Sequence, residues 1–397
     1  MRSARTESFA GRITHLQPEG AYAVLAKAQQ LEAQGRDIIH MEIGQPDFDT
    51  YPHITLAGIR AISNGQTRYN PPGGLPVLRE ALAKDAGARR GITVDAEQVV
   101  VAPGAKPLLV LPLMAVLEPG DEVLYPDPGF PTYEAAIRLV GANPVALPLV
   151  EETGYDLDLA AFDARVSDRT RLIILNSPGN PTGGILSRTT LEHIAAVACE
   201  RDCWVLSDEI YMRLVYDEDV LSIAALSGMG NRTIIVDGFS KTYAMTGWRL
   251  GFGVMPTALA DKMSLLLTHS VGCTATFTQL AGLAAVTGPQ DDVETVRTEF
   301  RARRDLIVRG LNEIDGVHCP TPRGAFYAFP NVASFGRPVQ ELAAYLLDVA
   351  GVATLPGTSF GENGEGYLRL SYANSRANIE QAVERMGNAL ASLAPAG

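Results

Sequence analysis

The sequence predicts an α/β fold: a large domain with a mostly parallel central sheet flanked by helices, and a smaller α+β domain. Three observations predict it. Up to about residue 290, short apolar runs alternate with helical patterns. Those runs are continuous rather than alternating, as in strands buried on both faces. Beyond that point the texture changes to a long charged helix and short, isolated strand candidates. A length of 397 residues also exceeds the usual size of one core, so two domains are expected.

Along the chain, the first 40 or so residues carry a helix, AYAVLAKAQQLEAQG, expected to pack with the later domain. Residues 1–44 are therefore read as an N-terminal arm and part of the small domain. Six strands follow in QVVVAP (98–103), DEVLYPD (121–127), RLIILNSP (171–178), CWVLSDE (203–209), TIIVDGF (233–239) and RLGFGVM (249–255). Each is a short apolar run bounded by turn residues. Helices lie between them. In SRTTLEHIAAVACERD (187–202), Leu191, Ile194, Ala195 and Ala198 share one face and Ser187 is placed to cap the start. The large domain is read as 45–290. The small domain, 291–397, opens with DDVETVRTEFRARRDLIVRGLNEI and has strand candidates at AFYAFP and YLRLSYA.

Composition excludes several classes of function. With 46% apolar and 20% charged residues, this reads as an ordinary globular chain. The net charge of −12, 33 basic against 45 acidic residues, argues against nucleic acid or an anionic membrane as main partner. It leaves room for a small anion held by a few local cations. No run approaches the ~20 apolar residues of a membrane span. Arg2 and Arg5 have no apolar stretch behind them, so no signal peptide is expected. Cys199, Cys203, Cys273 and Cys319 show neither metal spacing nor a disulfide framework. They read as structural thiols of a reducing cytoplasm, and no metal is expected.

In an open α/β sheet, ligands bind beyond the carboxyl ends of the strands. After QVVVA comes PGAK, whose small residues Gly104 and Ala105, with Lys106, open a helix and expose N–H groups to an anion. The next ends carry Phe130, then Asn180 in NSPGNPTGG, then Asp208 and Tyr211 in SDEIY, then Ser240 and Lys241. Arg249 follows eight residues after the lysine. Each has a plainer reading: PGAK as a turn, Asp208 as a helix cap, Phe130 as core, Lys241 as a surface lysine, Arg249 as half of an ion pair. Together they fall on one edge of the inferred sheet. A lysine amine can form a Schiff base with an aldehyde. A carboxylate can keep a pyridine nitrogen protonated. An amide and a phenol can hydrogen-bond a phenolate, an aromatic can stack on a flat ring, and a helix start with an arginine can hold a phosphate. The molecule with an aldehyde, a pyridine, a phenolate and a phosphate is pyridoxal phosphate.

The sequence also resembles the fold-type-I, pyridoxal-phosphate-dependent aminotransferases of class I/II, in the branch with many bacterial aspartate, alanine and aromatic enzymes. The resemblance covers nearly the whole chain. It is carried, in family order, by MEIGQPDFDT, TRYNPPGGLPVLREAL, NSPGNPTGG, SDEIY, GFSKTYAMTGWRLGF, RGAFY and YLRLSYA. The resemblance implies that Lys241 bonds the cofactor aldehyde and then shuttles a proton. It implies that Asp208 pairs with the pyridinium, that Tyr211 and Asn180 hydrogen-bond the ring oxygen O3′, and that Phe130 stacks on the ring. Arg249 and the amides near Gly104, Ala105 and Lys106 would hold the phosphate. Tyr69 would cross to the neighbour's phosphate in a homodimer with composite active sites. Arg369 would take the substrate carboxylate, helped by Gly44 and Asn180; on its own, an arginine in YLRLSY reads as a structural ion pair.

Three departures stand out. Gly238 occupies the place where many relatives carry a phosphate-binding serine, which leaves open whether Ser240 touches the phosphate. Lys106 stands where relatives vary, and phosphate, substrate side chain and solvent are all open to it. LTHSVGCTATFTQ (267–279) offers no extra cation for a distal carboxylate, which counts against a strict aspartate enzyme.

The implied activity is ping-pong transfer of an amino group between an L-amino acid and a 2-oxo acid. The alternative is a lyase reaction, such as β-elimination, on the same fold. GTSFG (357–361) matches a hydrolase nucleophile elbow, but no His or Asp follows Ser359. A transcription regulator on this fold would need a basic domain ahead of motifs that begin near residue 40.

Overall fold

A computed structural model describes residues 10–14, 16 and 18–393; Arg2 and Arg5 lie outside them. The central sheet has seven strands: β1 Val99–Ala102, β2 Glu122–Asp127, β3 Asn143–Pro148, β4 Thr170–Asn176, β5 Trp204–Asp208, β6 Thr233–Gly238 and β7 Gly251–Val254. Their order is β1-β7-β6-β5-β4-β2-β3. Strands β2 to β6 pair in parallel, and β7 is antiparallel to both β1 and β6. Strand β1 therefore runs in the same direction as β6. All six parallel strands end on one edge.

The continuous apolar runs follow from burial on both faces. Val100 and Ala102 of β1 join Leu206, Ile234 and Val236 in one core, while Val99 and Val101 join Ile235 and Phe252 in another. Successive side chains point to opposite faces, so a strand covered on both sides has no polar half. Strand β3 lacks that signal and is not anticipated from sequence. It is an edge strand with Pro144 and Pro148 and mostly half-exposed side chains. The strand expected from residue 249 starts instead at Gly251. Arg249 has a left-handed backbone, φ 54°, which is incompatible with an extended strand. Gly251 also allows the loop at Gly104 and Ala105 to approach: a Cβ there would sit 2.5 Å from the Ala105 nitrogen.

The helix Arg188–Glu200 forms as its pattern predicts. Ser187 Oγ accepts the Thr190 N–H at 3.1 Å, and Leu191, Ile194, Ala195 and Ala198 are buried. The long charged segment is the helix Asp291–Asn312. Its Phe300, Ile307 and Leu311 share a core with Ile379, Ala382 and Met386 of the helix Arg376–Ala391. Strands β8 Tyr327–Ala328, β9 Leu355–Pro356 and β10 Leu368–Ser371 form an antiparallel sheet in the order β9-β10-β8. The N-terminal helix Gly20–Ala33 packs Ala28 with Leu347 and Ala353, and Ile39–His40 pairs with Val352–Ala353. Among the described residues, no helix is long and apolar enough to cross a membrane. Nor do those residues include a group of three or more His, Cys, Asp or Glu placed to hold a metal ion.

A buried ionic cluster ties the helix Pro76–Arg90 to the ends of β5 and β6. Arg90 Nε donates to Glu209 at 2.6 Å and Arg90 Nη2 to Asp237 at 2.8 Å. Ser207 and Ser222 donate to the other Glu209 oxygen. Two buried carboxylates depend on one guanidinium. Arg90→Met is expected to lower unfolding stability by about 3–5 kcal/mol, read from the denaturation midpoint, because both carboxylates lose their partner.

Candidate active site

The chemistry-bearing residues meet where the parallel strands end. Register places Asn176 of β4 beside Asp208 of β5, and Asp208 beside Val236 of β6. Asp208 is 5% exposed. Its carboxylate accepts from the Tyr133 hydroxyl at 2.8 Å and from the Ile210 N–H at 3.2 Å. Burial pushes the Asp208 carboxyl up to about 6, against the pull of those hydrogen bonds. Asn176 orients the neighbouring loop: its Nδ2 donates to the Asp208 carbonyl at 3.0 Å and its Oδ1 accepts the Asn180 N–H at 2.9 Å. The Asn180 Oδ1 is buried and finds no hydrogen-bond partner among the described residues. The Tyr211 hydroxyl lies 2.6 Å from that of Tyr327.

Lys241 follows the end of β6 and is half-buried. Its Nζ donates to the Gly44 carbonyl at 2.5 Å and lies 5.8 Å from the Phe326 ring centre. Burial first, then repulsion from Arg369, Arg249 and Lys106, pulls the amine down to about 8. Gly238 is enclosed: a Cβ would meet Ile210 Cδ1 at 3.0 Å and the Leu250 carbonyl at 3.3 Å. The position that carries a serine in many relatives is thus tightly packed here, and Ser240 beside the lysine is half-buried.

Arg249 is exposed and donates to the Thr246 carbonyl at 2.9 Å. Gly104, φ 89°, presses against its guanidinium, in space that a Cβ would fill. Ala105 comes next, and the helix Pro107–Val116 begins two residues later. Backbone, helix start and guanidinium thus form a cationic cradle. Lys106 is exposed and ion-paired with Glu19; its Nζ lies 5.5 Å from the Phe130 ring centre.

Arg369 is buried on β10. It donates to the Glu42 carbonyl, and its Nε has no partner among the described residues. Its guanidinium lies 4.6 Å from the Tyr327 ring centre and 5.1 Å from that of Phe360. Phe360 belongs to the GTSFG segment, which forms a short turn, Gly357–Phe360, against this arginine. Tyr69 stands apart from the cluster, 99% exposed. Sequence reasoning missed Tyr133, Asn176, Tyr327 and Glu19, each of which touches a predicted site residue. Tyr133 lies three residues after Phe130, and a phenol in a helix start so close to a candidate ring stack was the available signal.

Residues 36–386 match the family described as aminotransferase class I and II. The chain belongs to that family. Its similarity to a probable aspartate/prephenate aminotransferase of Aquifex aeolicus is 39% identity over 97% of this chain and 99% of that protein. A solved aspartate aminotransferase of Thermus thermophilus with maleate superposes with a TM-score of 0.93, at 35% identity over 97% of this chain and all of that one. The aromatic aminotransferase structure from Pyrococcus horikoshii gives 0.88, at 40% identity over 93% and 99%. The fold is therefore that of the type-I aminotransferases, and the enzyme is a pyridoxal-phosphate-dependent transferase of amino acids and 2-oxo acids. These relatives carry the aminotransferase reading and not the lyase alternative.

The residues present fit that cofactor. The unpartnered Asn180 oxygen, the buried Asp208 carboxyl, the depressed Lys241 amine and the Gly104–Arg249 cradle offer one group for each of its polar features. The amine can be checked in the cofactor-free protein. Acylation at graded pH, followed by peptide mapping, is expected to label Lys241 with a midpoint near 8, against the ordinary 10.5. The sign follows from the neutral amine being the nucleophile: a lower pKa makes it reactive at lower pH.

Proposed function

We propose that this aminotransferase anchors its cofactor on Lys241 and takes an amino donor with an acidic side chain. The observation that carries the first part is the pair of ionisable groups at neighbouring strand ends, a half-buried amine pulled down to about 8 and a buried carboxyl pushed up to about 6. Pairs of groups shifted by their surroundings mark sites of proton chemistry.

Bound pyridoxal phosphate supplies an aldehyde carbon and an electron-withdrawing ring. Asp208 would face the ring nitrogen and hold a proton there. Tyr211 and Asn180 would face the ring oxygen, Phe130 the ring itself, and Arg249 with the Gly104 and Ala105 amides the phosphate. Arg369, helped by Gly44 and Asn180, would take the substrate carboxylate, and its unpartnered Nε leaves a donor for that purpose. Lys241, once free, takes the proton from the substrate Cα. An amine near 8 exchanges protons around neutrality, whereas an ordinary lysine stays an ammonium.

The donor class rests on Lys106. It is near enough to repel Lys241, lies beside Phe130, and is held by Glu19 from the N-terminal segment. A distal substrate carboxylate can replace Glu19 on that ammonium. Relatives named aspartate aminotransferase agree with this class. The homodimer belongs to the same reading: Tyr69 is fully exposed, and Leu56, Ile59 and Ile62 leave an apolar face on the helix Pro52–Ser63. So does the division at 45–290 and 291–397, supported by the pairing of Ile39–His40 with Val352–Ala353. Four free cysteines support a reducing, cytoplasmic setting.

Lys241→Ala is expected to lower turnover by about 10⁴-fold or more, while equilibrium dialysis still detects bound cofactor. Turnover near the parent level would overturn the assignment. Lys106→Gln is expected to raise KM for aspartate by about tenfold, the loss of one charge-assisted hydrogen bond, with alanine unaffected. An equal change for both donors would remove Lys106 from substrate selection.

A further inference from the structure

We propose that Tyr327 is a positioning residue for the reaction: its hydroxyl donates to Tyr211 and thereby holds the Tyr211 proton toward the cofactor. This rests on the reading of Tyr211 as the phenol that meets the ring oxygen.

The geometry begins with the short antiparallel sheet. Tyr327 on β8 pairs with Ser371 on β10, which makes Arg369 its diagonal neighbour on the same face. The Tyr327 ring therefore carries the Arg369 guanidinium at 4.6 Å. The hydroxyl at the far end of that ring reaches Tyr211, at 2.6 Å. It also lies against Gly44, where a Cβ would collide with it. Gly44 in turn holds the Lys241 amine through its carbonyl. One side chain thus touches the carboxylate-binding arginine, the phenol at the ring oxygen and the backbone that holds the lysine. Tyr211 and Tyr327 are both buried, 3% and 1% exposed.

Proton counting gives the hydrogen bond a direction. A phenol has one proton and two lone pairs. If Tyr211 donated to Tyr327, it would have no proton left for the ring oxygen. If Tyr327 donates, the Tyr211 proton is free and its oxygen is satisfied from behind. Burial raises both phenols. Arg369 favours the anion of each, but it is the Tyr327 ring that its guanidinium lies against. The more acidic phenol is the better donor, so the charge beside Tyr327 biases the bond in the direction that the reaction needs. A chain of donors also polarises along its length, which strengthens the last bond.

The test is a double-mutant cycle in the holoenzyme, reading the pH midpoint of the bound cofactor's visible absorbance. A donor at the ring oxygen stabilises negative charge there, so losing it makes the site hold its proton more tightly and raises the midpoint. Tyr211→Phe is expected to raise it by about one pH unit or more, and Tyr327→Phe by about half a unit, roughly threefold in the proton equilibrium. In the Tyr211→Phe background, Tyr327→Phe should add no further shift. Because phenylalanine keeps the ring under Arg369, KM for the amino donor should stay within about twofold while kcat falls by about three- to tenfold. If Tyr211→Phe moves the midpoint and Tyr327→Phe does not, Tyr327 is only a packing residue and the proposal is overturned. An equal Tyr327→Phe shift in both backgrounds overturns it too, by showing a route that avoids Tyr211. No shift in Tyr211→Phe itself would instead remove the Tyr211 assignment, and the proposal with it.

Discussion

Lys241 sits among three other cations, and that crowding is the constraint on which the site depends. Arg369, Arg249 and Lys106 each repel its ammonium, and burial adds to the cost. A fold that brings like charges together must either neutralise them or leave them for ligands. Glu19 answers Lys106. Among the described residues, Arg369 has a backbone carbonyl and two aromatic faces as partners. Arg249 has a backbone carbonyl as well. Two anions would suit such a bowl, and in the proposed reading they are a phosphate and a substrate carboxylate, with Lys241 reacting in its neutral form.

The sheet explains how this arrangement is reached. Five parallel strands deliver Gly104, Phe130, Asn180, Asp208 and Lys241 to one edge, so residues far apart in the chain become neighbours without any single loop having to be long. The buried side chains Asn180 and Asp208 lie at or just beyond the ends of two of the central strands. Asp208 lies between β4 and β6. Low dielectric there raises its carboxyl, and a cation held beside it would bring it back down.

Behind the residues that would meet ligand lies a layer that orients them. Tyr133 fixes Asp208, Asn176 fixes Asn180, Tyr327 meets Tyr211, and the Arg90 cluster pins the strand ends beneath. Each of these partners is buried, so each hydrogen bond acts where water cannot compete. Rigid support of this kind keeps polar groups within the tolerance that catalysis requires.

Much of this was legible in the chain. Continuous apolar runs follow from burial on both sheet faces, so the strands and the parallel sheet could be read locally. The positions after each strand end followed from the same topology, and Lys241, Asp208, Asn180 and Tyr211 were singled out that way; Arg249 was singled out by its place eight residues after the lysine. Strand β3 was not legible, because an edge strand with two prolines needs no apolar run. Nor were Tyr133, Asn176, Tyr327 and Glu19, since their importance lies in what they touch. Tyr327 is 116 residues from Tyr211 in sequence, and only the tertiary fold brings their hydroxyls together. The sequence by itself determined the fold class and which residue types follow the strand ends, because apolar runs and the succession of strands and helices along the chain are local properties. The tertiary structure alone decided the charges and partners of those residues, because desolvation and hydrogen bonding depend on neighbours that chain order does not reveal.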